Sequence, residues 1–187
     1  MCFIMRSSLL LATLALTGCA MFFAVPATPL QHAAWQGDVH AIESLVKSGV
    51  SVDEADDLGS SPLFWAARGG HAFGPHQCHG EDAARPGVIR ALLELGANPN
   101  AQDNRPKGFG RASGWTPLFV ALHHEQFRSA AVLLEHGADP NILSDQGMSS
   151  IQVATAEGAP RELIELMLAK GFDPQKAHRR PQDAVIN

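Results

Sequence analysis

Thr116-Pro117-Leu118 and Gly137-Ala138-Asp139-Pro140-Asn141 are the two stretches that decide the fold, because each recurs along the chain. The first has relatives whose starts lie 33, 55 and 33 residues apart: Thr28-Pro29-Leu30, Ser61-Pro62-Leu63 and Ser149-Ser150-Ile151. The second has relatives at intervals of 47, 41 and 34 residues: Gly49-Val50-Ser51, Gly96-Ala97-Asn98-Pro99-Asn100 and Gly171-Phe172-Asp173-Pro174. Both series fit one period of 33 residues, lengthened by 14 residues at about Ala72 to Arg85 and by 8 at about Pro106 to Ser113. The sequence therefore predicts a repeat protein.

Each unit has the pattern of two helices followed by a turn. A Thr or Ser accepts hydrogen bonds from the free N–H groups of a first helix, and Pro suits the first helical position. A second helix has apolar residues at helical spacing, and a Gly closes it. The apolar positions of the second helices are Ile42, Leu45, Val46, Val88, Ile89, Leu92, Leu93, Ala131, Leu133, Leu134, Leu163, Ile164, Met167 and Leu168. Because no unit can bury its apolar face alone, we expect the units to stack.

The pattern resembles the ankyrin repeat, in four copies. The resemblance implies an all-α repeat solenoid, which is a stack of four helix-turn-helix repeats with short hairpin turns and two loop insertions. We place the repeats at about 28–56, 57–103, 104–144 and 145–175, followed by a tail at 176–187. The family usually has a His after the Thr-Pro-Leu triplet, and here that position is taken by Gln31, Phe64, Phe119 and Gln152. Its side-chain hydrogen bonds are therefore absent or substituted.

The resemblance also implies which side chains face the concave groove of the stack. They lie on the hairpin tips and near the end of each first helix. Carried onto this sequence, the partner-binding positions are Trp35, Asp57, Leu58, Arg68, Trp115, His123, His124, Asp145, Met148 and Glu157. Trp and Arg are enriched at binding hot spots, although Trp35 and Trp115 could equally pack between repeats. For Trp115, at a hairpin tip, we favour contact with a partner.

The two insertions have two possible interpretations. They either bracket this groove or are loops that tolerate extra length at low cost.

The N-terminus has the layout of a signal peptide. Arg6 precedes an apolar run from Leu9 to Leu16, far shorter than the roughly 20 residues of a membrane-spanning helix. The sequence Leu16-Thr17-Gly18-Cys19 resembles a bacterial lipobox, in which the Cys is lipidated and becomes the new first residue. We therefore predict a lipoprotein signal peptide at 1–18, lipidation of Cys19, and a short tether at 19–27. Cleavage after Val25-Pro26-Ala27 is the alternative, and it would release a soluble periplasmic protein.

Composition excludes several classes of protein. With 45% apolar and 18% charged residues in 187, the chain can build a core, so a disordered chain is excluded. The formal net charge is −5, and the longest basic run is the pair Arg179-Arg180. Binding to nucleic acid as the main function is therefore excluded, because it requires clustered positive charge.

One polar insertion contains residues that bind metals. His76, Cys78 and His79 bring together imidazole and thiol groups, the ligand types of zinc or copper. Their spacing matches no zinc or haem signature, so a solvated loop is the favoured interpretation and no cofactor is expected. Neither a dinucleotide- or phosphate-binding loop nor a nucleophile beside a base is apparent in the sequence. We therefore expect a protein that is not an enzyme.

These observations predict a function in the bacterial cell envelope. The leading hypothesis is a protein that is lipid-anchored to a membrane and faces the periplasm, and we expect this membrane to be the outer membrane. It would bind a protein partner through the concave face, with toxin immunity or scaffolding of a stress-response partner as two specific roles. The alternative, from another class, is a periplasmic metal-binding protein that uses His76, Cys78 and His79.

Overall fold

The computed structural model describes residues 26–69, 85–104 and 113–173. Within these ranges it has eight helices in four consecutive pairs, and one isolated antiparallel bridge between Leu143 and Ser149. The helices are α1 (Pro29–Gln36), α2 (Val39–Lys47), α3 (Pro62–Arg68), α4 (Arg85–Glu94), α5 (Pro117–His123), α6 (Phe127–Glu135), α7 (Ser150–Ala156) and α8 (Arg161–Ala169). The all-α repeat solenoid is thereby confirmed. Across the described ranges, none of these helices combines the length and the apolarity needed to cross a bilayer.

The first helices of repeats 1 to 3 begin in the same way. The side-chain oxygens of Thr28, Ser61 and Thr116 accept the backbone N–H three positions later, at 3.2 to 3.4 Å, and Pro follows each of them. Repeat 4 lacks the Pro, and there the Gln152 side chain accepts the backbone N–H of Ser149 at 2.9 Å, a contact that Gln31 also makes with Thr28 in repeat 1 at 3.3 Å. The Thr-Pro-Leu motif is therefore a helix start with a hydrogen-bond acceptor and a preset first residue.

The helices stack in two rows. The first helices α1, α3, α5 and α7 pack side by side, and so do the second helices α2, α4, α6 and α8. Fully buried alanines allow the first helices to approach closely, and these are Ala34, Ala67, Ala121 and Ala154. Of the apolar positions predicted for the second helices, Leu168 is wrong as a core residue, since it is 49% exposed. It lies on α8, and within the described ranges no repeat follows to cover it.

The Asn that ends the Gly-Ala-Asp-Pro-Asn motif ties one repeat to the next. The side chain of Asn100 accepts the N–H of Asp139 at 2.8 Å and donates to the carbonyl of Gly137 at 3.1 Å. Asn141 makes the same pair of bonds to the following motif, at 2.7 and 3.0 Å. The polar motif is therefore a hydrogen-bonded clamp between repeats, in addition to the apolar contacts of the helices.

Gln31 replaces the missing His of repeat 1. Its fully buried side chain donates from Nε2 to the carbonyl oxygens of Glu54 at 3.2 Å and Ser60 at 2.9 Å. These bonds fasten the first helix to the hairpin that leads into repeat 2. The hydrogen bonds are thus substituted in repeat 1. In repeats 2 and 3 the same position holds a buried Phe.

Arg85 belongs to the helical stack, although the 33-residue period assigned it to the first insertion. It is the first residue of α4, and its guanidinium donates to the carbonyl oxygens of Trp35 and Ala66, both at 3.4 Å. A Cβ placed on Gly69 would lie 2.7 Å from Nε of Arg85, so the two residues are in close contact. A deletion that restores the period must therefore stop before Arg85, because its removal would also remove a link between repeats 1 and 2.

Glu125 is strained, and we expect its replacement by Gly to stabilise the protein. Among the described residues it alone has a positive φ without being Gly, at 57°, where repeats 1 and 4 have Gly37 and Gly158. A Cβ in the left-handed region costs about 1 to 2 kcal/mol. After allowance for the greater freedom of the unfolded chain, Glu125→Gly should add about 1 kcal/mol and raise the Tm by about 2 to 4 °C. Thermal unfolding followed by circular dichroism measures this, and an unchanged or lower Tm would contradict it.

Candidate functional site

Trp115, His123 and Glu157 form a line of contacts across repeats 3 and 4. The ring centroids of Trp115 and His123 are 5.0 Å apart and their planes meet at 74°, an edge-to-face arrangement. Nδ1 of His123 lies 2.9 Å from Oε1 of Glu157, within hydrogen-bond distance. The ring of His124 lies 5.4 Å from that of His123. These four residues, all predicted as partner-binding positions, are called the Trp115 strip below.

The Trp115 strip is partly open to solvent and is ordered by its own contacts. The side chains of His123 and Glu157 are 48% and 29% exposed. At that exposure their interaction contributes at most about 1 kcal/mol to stability, because water and salt screen it. An edge-to-face ring pair contributes a similar amount, about 0.5 to 1.5 kcal/mol. The contacts therefore fix the positions of the side chains more than they stabilise the fold, which favours binding by lowering the entropy lost on association.

Asp103 fixes the hairpin that carries Trp115. The N–H of Trp115 donates to Oδ1 of Asp103 at 2.7 Å, and the N–H of Asp103 donates to the Trp115 carbonyl at 3.0 Å. Asp103 is buried and was not among the predicted positions. A signal was present in the sequence, since Asp103 ends repeat 2 as Asp56 ends repeat 1, and Oδ1 of Asp56 accepts the N–H groups of Leu58 and Ser60, each at 2.9 Å.

Asp145 joins the hairpins of repeats 3 and 4. Its carboxylate accepts the hydroxyl of Ser113, and its N–H donates to the Ser113 carbonyl at 3.0 Å. Asp145 is exposed, so it remains accessible to a partner, but its carboxylate already has a structural role. Ser113 is buried and belongs to this junction, although the period placed it at the end of the second insertion.

Trp115 is more deeply buried than we expect for a residue at a hairpin tip. Its ring is partly buried against the core, with its centroid 6.3 Å from that of Phe119. Its Nε1 is buried and has no hydrogen-bond partner. Trp115 therefore packs against the core and also contacts the ring of His123. Its contact with a partner stays a prediction.

Trp35 in repeat 1 and Arg68 in repeat 2 occupy the position that His123 has in repeat 3. Nε1 of Trp35 donates to the Gly69 carbonyl at 3.0 Å, so this Trp bridges the two repeats. The guanidinium carbon of Arg68 lies 5.1 Å from the Trp65 ring centroid, a cation–π distance. Both Trp35 and Arg68 are partly exposed. This end of the predicted surface therefore also consists of an aromatic and a cationic side chain held in place by neighbours.

The remaining predicted positions differ in exposure. Asp57 is exposed at a hairpin tip. Leu58 is partly buried, and its carbonyl accepts the N–H of Asn104 at 2.7 Å, a bond between the hairpins of repeats 2 and 3. Met148 stands in repeat 4 where repeat 3 has Trp115, and it packs against the core. Leu58 and Met148 thus have structural contacts, whereas Asp57 faces solvent.

Several predicted positions lie outside the described residues. These are Cys19 and the three candidate metal ligands His76, Cys78 and His79. Within 26–69, 85–104 and 113–173, no group of three or more His, Cys, Asp or Glu side chains is arranged to hold a metal ion. The proposed lipidation and the proposed metal site therefore stay predictions from the sequence.

The repeated helix pairs and the clamps between them define a protein built of stacked helical repeats. Two family models match the chain, one described as ankyrin repeats in three copies over residues 81–178 and one as ankyrin repeats in many copies over residues 30–78. The chain belongs to the ankyrin-repeat family.

Curated proteins with similar sequences carry these repeats within much longer chains. XBAT34 of Arabidopsis thaliana, whose name assigns it to the E3 ubiquitin-protein ligases, is 32% identical over 65% of this chain and 27% of its own length. The BTB/POZ domain and ankyrin repeat-containing protein NBCL of Lotus japonicus is 38% identical over 50% of this chain and 17% of its own. Ankyrin repeat protein nuc-2 of Neurospora crassa is 31% identical over 70% of this chain and 10% of its own. The chain thus spans about a quarter or less of these relatives.

Proposed function

We propose that the protein binds a protein partner through the concave face, and that the Trp115 strip is the centre of this interface. The observation that carries the proposal is the line of contacts from Trp115 through His123 to Glu157, which crosses two repeats and leaves His123 and part of Glu157 accessible to solvent. Hot spots of protein interfaces are rich in Trp and lie in preorganised, well-packed surroundings. A solenoid adds a rigid extended surface around such a centre. Binding rather than catalysis is therefore the proposed activity.

His123→Ala tests the proposal at its most exposed contact. The change removes the ring that links Trp115 and Glu157, and it should weaken binding of the captured partner by about 1 to 2 kcal/mol, or roughly tenfold. The partner is first captured from cell extracts with the tagged full chain, and its affinity is then measured by calorimetry. Glu43→Ala is the matched control, because it removes an exposed Glu43–Lys47 pair on the second helix α2. Loss of affinity in the control alone would contradict the proposal.

We also propose that the protein acts in the bacterial cell envelope, anchored by lipid at Cys19. The support is the sequence Leu16-Thr17-Gly18-Cys19 after a short apolar run. Two or more acyl chains hold a protein on a membrane firmly, since each buried CH₂ contributes about 0.8 kcal/mol. A small anchored binder at the outer membrane suits neutralisation of a toxin that enters the periplasm, or scaffolding of a stress-response partner. Soluble release after Ala27 is the competing outcome.

Cys19→Ser is expected to abolish the anchor. Without the thiol no acyl chain can be attached, so the protein should move from the membrane fraction to the soluble periplasmic fraction or remain uncleaved. Fractionation and the intact mass of the purified protein measure both results. Thr17→Ser, which keeps a small residue in the quartet, serves as the control and should stay on the membrane. Membrane association that survives Cys19→Ser with normal processing would rule out lipidation at this residue.

The alternative proposal is metal binding by His76, Cys78 and His79. Its support is the presence of imidazole and thiol groups within four residues of sequence, in a compartment where a lone thiol is unusual. Metal analysis of protein purified without a His tag distinguishes this proposal from the first, because the Trp115 strip needs no metal.

A further inference from the structure

A groove of about 460 Å³ lies at the outer side of repeat 1, between α1 and α2. Pro29, His32 and Gln36 line it from α1, and Ala41 and Leu45 line it from α2. Apolar side chains therefore form part of both walls. Within the described ranges no helix pair precedes α1, so this face of the stack has no neighbouring repeat.

The same face is covered in the repeats that follow. His32 is exposed, and its counterparts Trp65 and Val120 are each only 1% exposed. Leu45 is partly buried, whereas its counterparts in the next two repeats, Leu92 and Leu133, are fully buried. In repeats 2 and 3 the cover is the preceding repeat, since α1 packs on α3 and α3 on α5. Among the described residues, no repeat covers the groove, which is therefore an open stacking surface. The ends of a repeat stack need a cover or a polar face.

A segment of suitable chemistry lies immediately before repeat 1. Met21-Phe22-Phe23-Ala24-Val25 has four large apolar side chains in five positions and lies outside the described residues. The chain between this segment and α1 is held at the first turn of α1, because the N–H groups of Ala27 and Thr28 donate to Oε1 of Gln31 at 2.9 and 3.3 Å. Residues 27 and 28, which lead from this segment into α1, thus lie next to Pro29 at one end of the groove.

The length of the segment matches the groove. The eight residues of α1 extend about 12 Å at 1.5 Å per residue. Five residues in extended form span at most about 16 to 18 Å. A chain that turns back at Pro26 can therefore follow α1 to its end. His32, Gln36 and the exposed Ser44 at the groove can form hydrogen bonds with an extended backbone, and Ala41 and Leu45 offer apolar contacts.

We propose that residues 21–25 of this chain bind in the groove of repeat 1 and act as the N-terminal cap of the stack. The cap replaces the repeat that would otherwise bury Leu45 and the outer side of α1. The proposal is independent of the Trp115 strip, because the groove lies at the end of the stack that begins with α1. It holds for the anchored protein as well, since residues 21–25 follow Cys19 and remain after cleavage before that residue.

Site-specific photo-crosslinking of the full chain tests the cap. Phe22 is replaced by the photoreactive residue p-benzoylphenylalanine, the protein is irradiated in isolated membranes, and the crosslinked peptides are identified by mass spectrometry. We expect crosslinks within one chain to peptides from α1 or α2. Ala41→Arg places a bulky charge in the groove and should reduce these crosslinks to background. The matched control His40→Arg puts the same side chain on an exposed neighbouring position of α2 and should leave them unchanged.

Each of the other outcomes overturns the proposal. Crosslinks to a second copy of the chain would indicate end-to-end association, and crosslinks to lipid would indicate that residues 21–25 lie in the membrane. Crosslinks to α1 or α2 that persist in Ala41→Arg would exclude the groove as the binding site. An intact mass that starts after Ala27 would show that the mature protein lacks the segment. A second measurement separates loss of the cap from a direct effect of the Arg side chain on stability. The melting temperatures of Ala41→Arg and of a chain carrying Phe22→Asp and Phe23→Asp are compared with that of the unchanged protein. If the cap is lost in both variants, both melting temperatures should fall by a similar amount.

Discussion

Gly114→Ala is expected to destabilise the protein by about 2 to 5 kcal/mol and lower its Tm by roughly 5 °C or more. Gly114 has φ of 73°, in the left-handed region, where a Cβ alone costs about 1 to 2 kcal/mol. A Cβ there would also lie 2.6 Å from Oδ1 and 2.9 Å from the backbone nitrogen of Asp145. Backbone cannot yield as a flexible side chain can, so the hairpins of repeats 3 and 4 would have to separate. Their bond from the Asp145 N–H to the Ser113 carbonyl would weaken as a result.

Gly147→Ala is the matched control for this prediction. Gly147 is the corresponding residue of repeat 4, with φ of 75°, and a Cβ there would meet no atom within 4 Å. It should therefore cost only the conformational part, about 1 to 2 kcal/mol. Urea unfolding of both variants gives the two free energies of unfolding. Equal losses would show that the close approach of the two hairpins contributes nothing to stability.

The sequence was sufficient to predict the order of the helices because their signals are local. A Thr or Ser cap, a Pro at the first turn and a Gly at the end each act within one turn of helix. The period of 33 residues then placed four pairs without knowledge of any long-range contact. The 33-residue period assigns two residues wrongly, Arg85 and Ser113, which stand at the borders of the two insertions. Both residues make contacts with other repeats, which a pattern along the chain does not contain.

The candidate site was less predictable for the same reason. The resemblance placed Trp115, His123 and Glu157 on one face, but their mutual contacts depend on the offset between repeats 3 and 4. The eight-residue insertion separates Asp103 from Trp115 in the sequence. Two backbone hydrogen bonds across this insertion place Asp103 under the Trp115 hairpin. The double role of Trp115 arises from three-dimensional contacts, because its ring packs against the core and also lies beside His123. Neither composition nor spacing carries that information.

Trp115→Ala is expected to have the largest effect on partner binding. Trp115 is the largest side chain of the Trp115 strip, and its removal should cost about 2 kcal/mol or more of binding free energy, about a 30-fold loss of affinity. Its removal should also lower stability, because part of the ring packs on Phe119. The affinity is therefore measured well below the Tm, with circular dichroism to establish that the helices are intact. The two effects then separate, since only folded protein is compared.

Trp115→Phe and Glu43→Lys distinguish a role in binding from a role in folding. Phe keeps an aromatic ring against Phe119 and removes Nε1, a buried donor with no partner, so it should preserve most of the stability. If the ring of Trp115 makes the contact, Trp115→Phe should retain much of the affinity that Trp115→Ala loses. Glu43→Lys reverses a charge on the outer helix α2 and should leave binding unchanged. Normal binding by Trp115→Ala together with loss of binding by Glu43→Lys would place the interface on the second helices, because a change of charge can disrupt only a surface that the partner approaches.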